Sequence, residues 1–130
     1  MSIVLNHTIV AVSDSHRGAR LLADLLGLPG AEPVGPFQAL RINDDLTFDF
    51  DDRRGGGPAH YAFLVDDATF DGALERGRRA GLDWGSSPGA SDQKINHLRG
   101  GRGVYIRDPD GIAYEFFTAD PLTGARPGQS

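Results

Sequence analysis

One feature constrains this chain more than any other: a repeat with a period of about half its length. The first copy opens on His7 and runs through Asp14 as HTIVAVSD. The second opens on His60 and runs through Asp67 as HYAFLVDD. The two histidines stand 53 residues apart. In each copy a histidine starts a short apolar run rich in β-formers, which predicts a strand. An Asp or Ser follows where a helix N-cap is needed.

Helical periodicity comes next in both copies. Leu21, Leu22, Leu25 and Leu26 predict a buried stripe on a helix over Ser15–Leu26, capped by Gly27. Phe70, Ala73, Leu74 and Gly77 do the same over Ala68–Ala80, which ends at Gly81. Three predicted strands follow each helix. In the first copy they are Ala31–Val34, Phe37–Ile42 and Leu46–Phe50. In the second they are Asp83–Gly85, Gly103–Arg107 and Ala113–Thr118. Asn43-Asp44-Asp45 and Asp108-Pro109-Asp110-Gly111 supply turns before the last strand of each copy.

Each half therefore reads β-α-β-β-β. The expected class is α+β, with the modules at about 3–52 and 58–119 in a single domain. A repeated unit of this kind must bury one sheet face, which favours curved sheet with helices outside. The Gly-rich stretch DDRRGGGP is the expected linker, and 120–130 an unstructured tail.

Composition narrows the chemistry. The chain has no cysteine, so any metal must be held by nitrogen and oxygen. The net charge of −5 and the lack of a basic run argue against nucleic acid. No segment reaches the length of a membrane span, and the first residues do not read as a signal peptide. A cytoplasmic protein is expected.

Strand alternation sorts the polar candidates. His7 shares a face with Ile9 and Ala11; His60 shares one with Ala62 and Leu64. Glu115 shares a face with Ala113 and Phe117. A carboxylate within Ala-Tyr-Glu-Phe-Phe needs a partner, either a metal ion or an arginine. Two histidines and one carboxylate would suit a divalent first-row metal with open positions. Taken singly, a histidine at a strand start is more often a surface or hydrogen-bonded residue than a ligand, and a glutamate in an apolar strand is more often salt-bridged than metal-bound.

Three stretches carry a resemblance: Asn6–Val12 (NHTIVAV), His60–Val65 (HYAFLV) and Gly103–Phe116 (GVYIRDPDGIAYEF). Together they resemble the vicinal oxygen chelate superfamily, the group of glyoxalase I, bleomycin-resistance proteins, fosfomycin-modifying enzymes and extradiol dioxygenases. The resemblance implies paired βαβββ modules forming an open sheet cup, in a homodimer. It implies one divalent ion (Mn, Fe, Ni, Co or Zn) held by His7, His60 and Glu115. It places Asp49 as a fourth ligand or base, although Asp49 is shorter than the usual Glu and is equally an edge-strand aspartate. Tyr105 becomes a candidate hydrogen-bond donor to a substrate oxygen, or a core aromatic.

Thr47, His97, Arg102 and Phe117 are candidate substrate contacts. Lys94 does not match the lysine of phosphonate-handling members. The implied activity is metal-dependent, of the lyase, isomerase or dioxygenase type, on a small substrate with adjacent oxygens. The alternative is an antibiotic-sequestering protein of the bleomycin-resistance type, with Phe37, Phe48, Trp84, Tyr105 and Phe117 as stacking surfaces.

Overall fold

The structure is a computed structural model in which residues 2–128 are described. The chain forms two compact units, Met1–Gly57 and Pro58–Ser130. Each holds one βαβββ module. The first comprises β1 (His7–Ala11), α1 (Ser15–Leu26), β2 (Glu32–Val34), β3 (Phe37–Arg41) and β4 (Thr47–Asp51). The second comprises β5 (Ala59–Leu64), α2 (Asp67–Arg79), β6 (Asp83–Gly85), β7 (Gly103–Arg107) and β8 (Ile112–Phe117), with a 3₁₀ turn at Leu98–Gly100.

Both sheets have four strands and the same topology. Their orders are β1-β4-β3-β2 and β5-β8-β7-β6. In each, the opening strand lies parallel beside the closing strand, and the other pairings are antiparallel. The fold is the glyoxalase-like α+β arrangement of two mixed sheets, with no closed barrel.

Local chemistry sets the ends of the helices. Asp14 caps α1 by accepting from Arg17 N at 3.0 Å, and Asp66 caps α2 by accepting from Thr69 N at 2.7 Å. The Arg17 amide holds the Asp14 carboxyl below the usual range, and the Thr69 hydroxyl, followed by its amide, does so for Asp66. Gly27 closes α1 at φ 69°, a left-handed conformation that disfavours other residues. The expected Asp108 turn forms, with Asp108 Oδ1 accepting from Asp110 N and Ile112 N at 3.0 and 2.8 Å.

Small differences from the expected boundaries have local causes. Helix α2 starts one residue early because Asp66, rather than Asp67, takes the cap. Strand β8 starts at Ile112 because the Asp108 side chain already holds the Ile112 amide. The buried face of α1 is rotated from the leucine stripe. Gly18, Ala19, Leu22, Ala23 and Leu25 are buried, while Leu21 and Leu26 are only half-buried. Gly18 lets the helix approach the sheet closely, since a Cβ there would lie 3.1 Å from Val12 Cγ1.

Each sheet buries its helix-facing side. Val10, Leu40, Phe48 and Phe50 do so in the first unit; Val104, Ile106, Tyr114 and Phe116 do so in the second, where Phe70 of α2 is buried as well. Each such large side chain contributes about 1.5–3 kcal/mol. Phe48 is 3% exposed, so it serves the core and offers no stacking surface. After β8 the chain stays tied down, with Arg126 donating to Thr118 O at 3.2 Å. Gln129 and Ser130, at the end of the expected tail, lie outside the described residues.

Candidate metal and substrate site

The second unit turns one sheet face away from α2. Strand register places His60 and Ala62 of β5, Ala113, Glu115 and Phe117 of β8, and Gly103, Tyr105 and Arg107 of β7 on that face. Glu115 pairs across the strands with Ala62 on one side and Tyr105 on the other. Its carboxylate is nearly buried and would be costly without a partner. His60 is that partner, with Nε2 2.8 Å from Glu115 Oε1. The imidazole side chain is 47% exposed, so the pair opens outward from a buried base. The His60 and Tyr105 rings lie 5.6 Å apart at a tilt of 55°. Burial, followed by the neighbouring Glu115 carboxylate, pushes the Tyr105 hydroxyl up to about 12. It therefore stays protonated at neutral pH, its proton shared with the Glu115 carboxylate.

The donor geometry suits a metal ion. Two cis ligands each about 2.1 Å from one ion sit roughly 3 Å apart. The 2.8 Å between His60 Nε2 and Glu115 Oε1 is close to that spacing. Among the described residues, no group of three His, Asp or Glu side chains comes together as a metal cluster.

A loop borders this face. Arg107 donates to Asp83 Oδ2 at 3.1 Å, Pro88 O at 3.0 Å, Ser91 Oγ at 3.1 Å and Ala90 O. Asp83 is held below the ordinary carboxylate range by the Ser91 hydroxyl and by Arg107. Gly85, the cross-strand neighbour of Tyr105, has no room for a side chain: a Cβ would collide with the Ala90 carbonyl. Gly103 is likewise closed off by the Asn96 side chain. Residues 86–96 thus wall the face beside Tyr105. Sequence reasoning missed Arg107 and this wall, though alternation from Tyr105 would have placed Arg107 on the same face.

The first unit repeats the register. His7 pairs with Thr47, Ile9 with Asp49, Asp49 with Ala39, and Thr47 with Arg41. His7 is therefore equivalent to His60, Asp49 to Glu115, Ala39 to Tyr105 and Arg41 to Arg107. The exposed His7 has Nδ1 2.9 Å from Asn6 Oδ1. Asp49 is half-buried.

The remaining expected contacts are dispersed. Phe117 is half-buried on the Glu115 face. His97 is exposed, just before the 3₁₀ turn. Arg102 ties β7 to α2 through Asp67 at 3.0 Å and Asp71 at 2.7 Å, with its guanidinium 4.4 Å from the Phe70 ring centroid.

Comparison with protein-family models gives no match. Comparison with curated proteins gives none either. Solved structures do match. Oxidase ChaP-H1 is 44% identical, with a TM-score of 0.86 over 95% of this chain and 100% of that one. Oxidase ChaP-H2 is 42% identical, with a TM-score of 0.88 over 96% of this chain and 100% of that one. The fosfomycin resistance protein FosX from Mesorhizobium loti is 25% identical, with a TM-score of 0.68 over 94% and 97%. The chain belongs to the vicinal oxygen chelate superfamily. Its two modules present equivalent strand positions, occupied by His7 and His60. No helix among the described residues is long and apolar enough to cross a membrane.

Proposed function

We propose that this vicinal oxygen chelate protein is a metal-dependent oxidase acting on a small substrate with adjacent oxygen atoms. The observation that carries this reading is the nearly buried Glu115 carboxylate bonded to the half-exposed His60 imidazole. His60 and Glu115 would hold one divalent ion, and the resemblance to the superfamily implies the role of metal ligand for His7 as well. A bound ion would supply Lewis acidity toward substrate oxygens and, where the metal is redox-active, an electron route to dioxygen. Oxidation is favoured by the two oxidases that share over 40% identity with the chain.

Protein side chains do the rest. Tyr105 donates a hydrogen bond to a substrate oxygen, because its hydroxyl keeps its proton. Asp49, at the Glu115-equivalent position, accepts a proton from a substrate hydroxyl. The 86–96 wall limits water and fixes the substrate plane beside Tyr105. The protein works as a homodimer, as is usual in the superfamily.

Antibiotic sequestration is less well supported. Of the five aromatic stacking candidates, Phe48 is in the core and Trp84 sits on the helix side of its sheet. Phe37 is covered by Arg53, 5.4 Å from its ring centroid.

The test is dioxygen uptake with catechols and other vicinal diols, after loading with Fe, Mn, Co, Ni or Zn. Turnover by wild-type protein, with substantial loss in Tyr105→Phe, is expected. Absence of uptake with every metal and substrate would overturn the oxidase assignment.

A further inference from the structure

The two units differ in the surroundings of one repeated arginine. In the second unit, Arg107 is fully engaged: it faces Asp83 across the strands and binds the 86–91 loop. Arg41 occupies the same register position in the first unit, since both arginines pair with the closing strand two residues before the Glu115 or Asp49 position. Its surroundings are different. Continuing the β2–β3 register puts Gly30 opposite Arg41, where the second unit has Asp83. Arg41 is exposed. Among the described residues Arg41 makes no ion pair; its guanidinium donates to Thr47 Oγ1 at 3.1 Å and to the Asp44 carbonyl. Five donors and two oxygens leave capacity for another acceptor.

A second substitution in the repeat makes room. Tyr105 fills its position in the second unit, whereas Ala39 stands at the equivalent place in the first. With Gly30, around which a Cβ would meet nothing within 4 Å, this leaves a groove of about 400 Å³. Pro29, Gly30, Glu32, Ala39, Arg41 and Thr47 line it, with Glu32 on β2, on the side of Arg41 away from His7. Arg41 is its one cation among those lining residues. The row His7–Thr47–Arg41 runs straight across β1, β4 and β3. Two strand spacings separate its ends by roughly 10 Å between Cα atoms, a span that a small planar molecule bridges.

We propose that Arg41 and Thr47 form an anion subsite that takes a carboxylate carried by a planar substrate, whose adjacent oxygens lie toward His7. The guanidinium fork matches a carboxylate through two parallel hydrogen bonds, and the Thr47 hydroxyl adds a third. The substrate class is an aromatic carboxylate with vicinal hydroxyls. This proposal rests on the reading of His7 as a metal ligand only for the direction of the vicinal oxygens.

Calorimetric titration in the presence of Mn²⁺ tests it, with catechol, 3,4-dihydroxybenzoate and benzoate as probes on wild-type, Arg41→Gln and Thr47→Val proteins. The expected result is that dihydroxybenzoate binds wild-type protein at least about tenfold more tightly than catechol does. In Arg41→Gln that ratio falls to near unity, and in Thr47→Val it falls part-way. A wild-type ratio near unity, or a ratio retained in Arg41→Gln, overturns the subsite. Failure of catechol to bind while benzoate binds wild-type but not Arg41→Gln overturns the adjacent-oxygen reading and supports the subsite. Binding of neither carboxylate overturns the subsite.

Discussion

Arg41 and Arg107 stand at the same register position of the two modules, yet only Arg107 faces an aspartate. The duplicated scaffold repeats strand order, helix caps and opening histidines, and then diverges at a few side chains. Asp83, Gly85 and Tyr105 close and wall the second unit's face. Gly30, Glu32 and Ala39 leave the first unit's face open.

The wall depends on Arg107. Replacing it with alanine removes donors from three loop oxygens and from Asp83. Amide exchange over residues 86–92 should quicken by at least about tenfold, equivalent to losing one net hydrogen bond. Exchange in β7 and β8 should hardly change. Unchanged exchange in the loop would show that Arg107 does not fasten it.

Gly85 is constrained by space rather than by backbone conformation. A Cβ would strike the Ala90 carbonyl. Gly85→Ala should cost about 1–3 kcal/mol in chemical denaturation, in the range of other overpacked sites. The loop would have to lift, so the same variant should weaken protection of the Ser86 amide, which is bonded to Asp92 Oδ1 at 3.0 Å. Wild-type stability in Gly85→Ala would contradict the close packing.

Asp108 links stability to pH. Burial, the largest influence, raises its pKa above the ordinary 3.8, against the opposing backbone hydrogen bond from Ile112. A carboxyl with a raised folded-state pKa contributes stability that is fully present below its unfolded value and is lost as pH rises through the folded one. Asparagine keeps the acceptor for Asp110 N and Ile112 N without the charge. Asp108→Asn should therefore gain stability relative to wild type as pH rises from about 3 to 7. Asp108→Ala, which leaves those amides unmet, should lose about 1–3 kcal/mol throughout. A wild-type advantage over Asp108→Asn that grows with pH would contradict this.

Much of the architecture was legible because its determinants are local. Asp14 and Gly27 mark the ends of α1, and the Asp108–Gly111 turn marks the start of β8, through bonds spanning only a few residues. Alternation put His60 and Glu115 away from the apolar faces of their strands, and they meet. What stayed hidden depends on register between distant strands. Arg107 against Asp83, and Gly85 against Tyr105, cannot be read until β6 and β7 are paired. Phe48 looked like a stacking surface because a sequence shows an aromatic residue without showing which face is covered. The stripe on α1 moved toward Gly18 and Ala19 because close approach to the sheet favoured small residues over Leu21 and Leu26.

The most direct measurement is elemental analysis of the purified protein, repeated on His60→Ala and Glu115→Ala. Wild-type protein should carry about one divalent ion per chain, as a site of imidazole and carboxylate ligands implies. Both variants should lose it while keeping the wild-type far-ultraviolet circular dichroism. Wild-type protein that cannot be loaded with any first-row divalent metal, or variants that bind it as well as wild type does, would contradict the assignment of His60 and Glu115 as metal ligands.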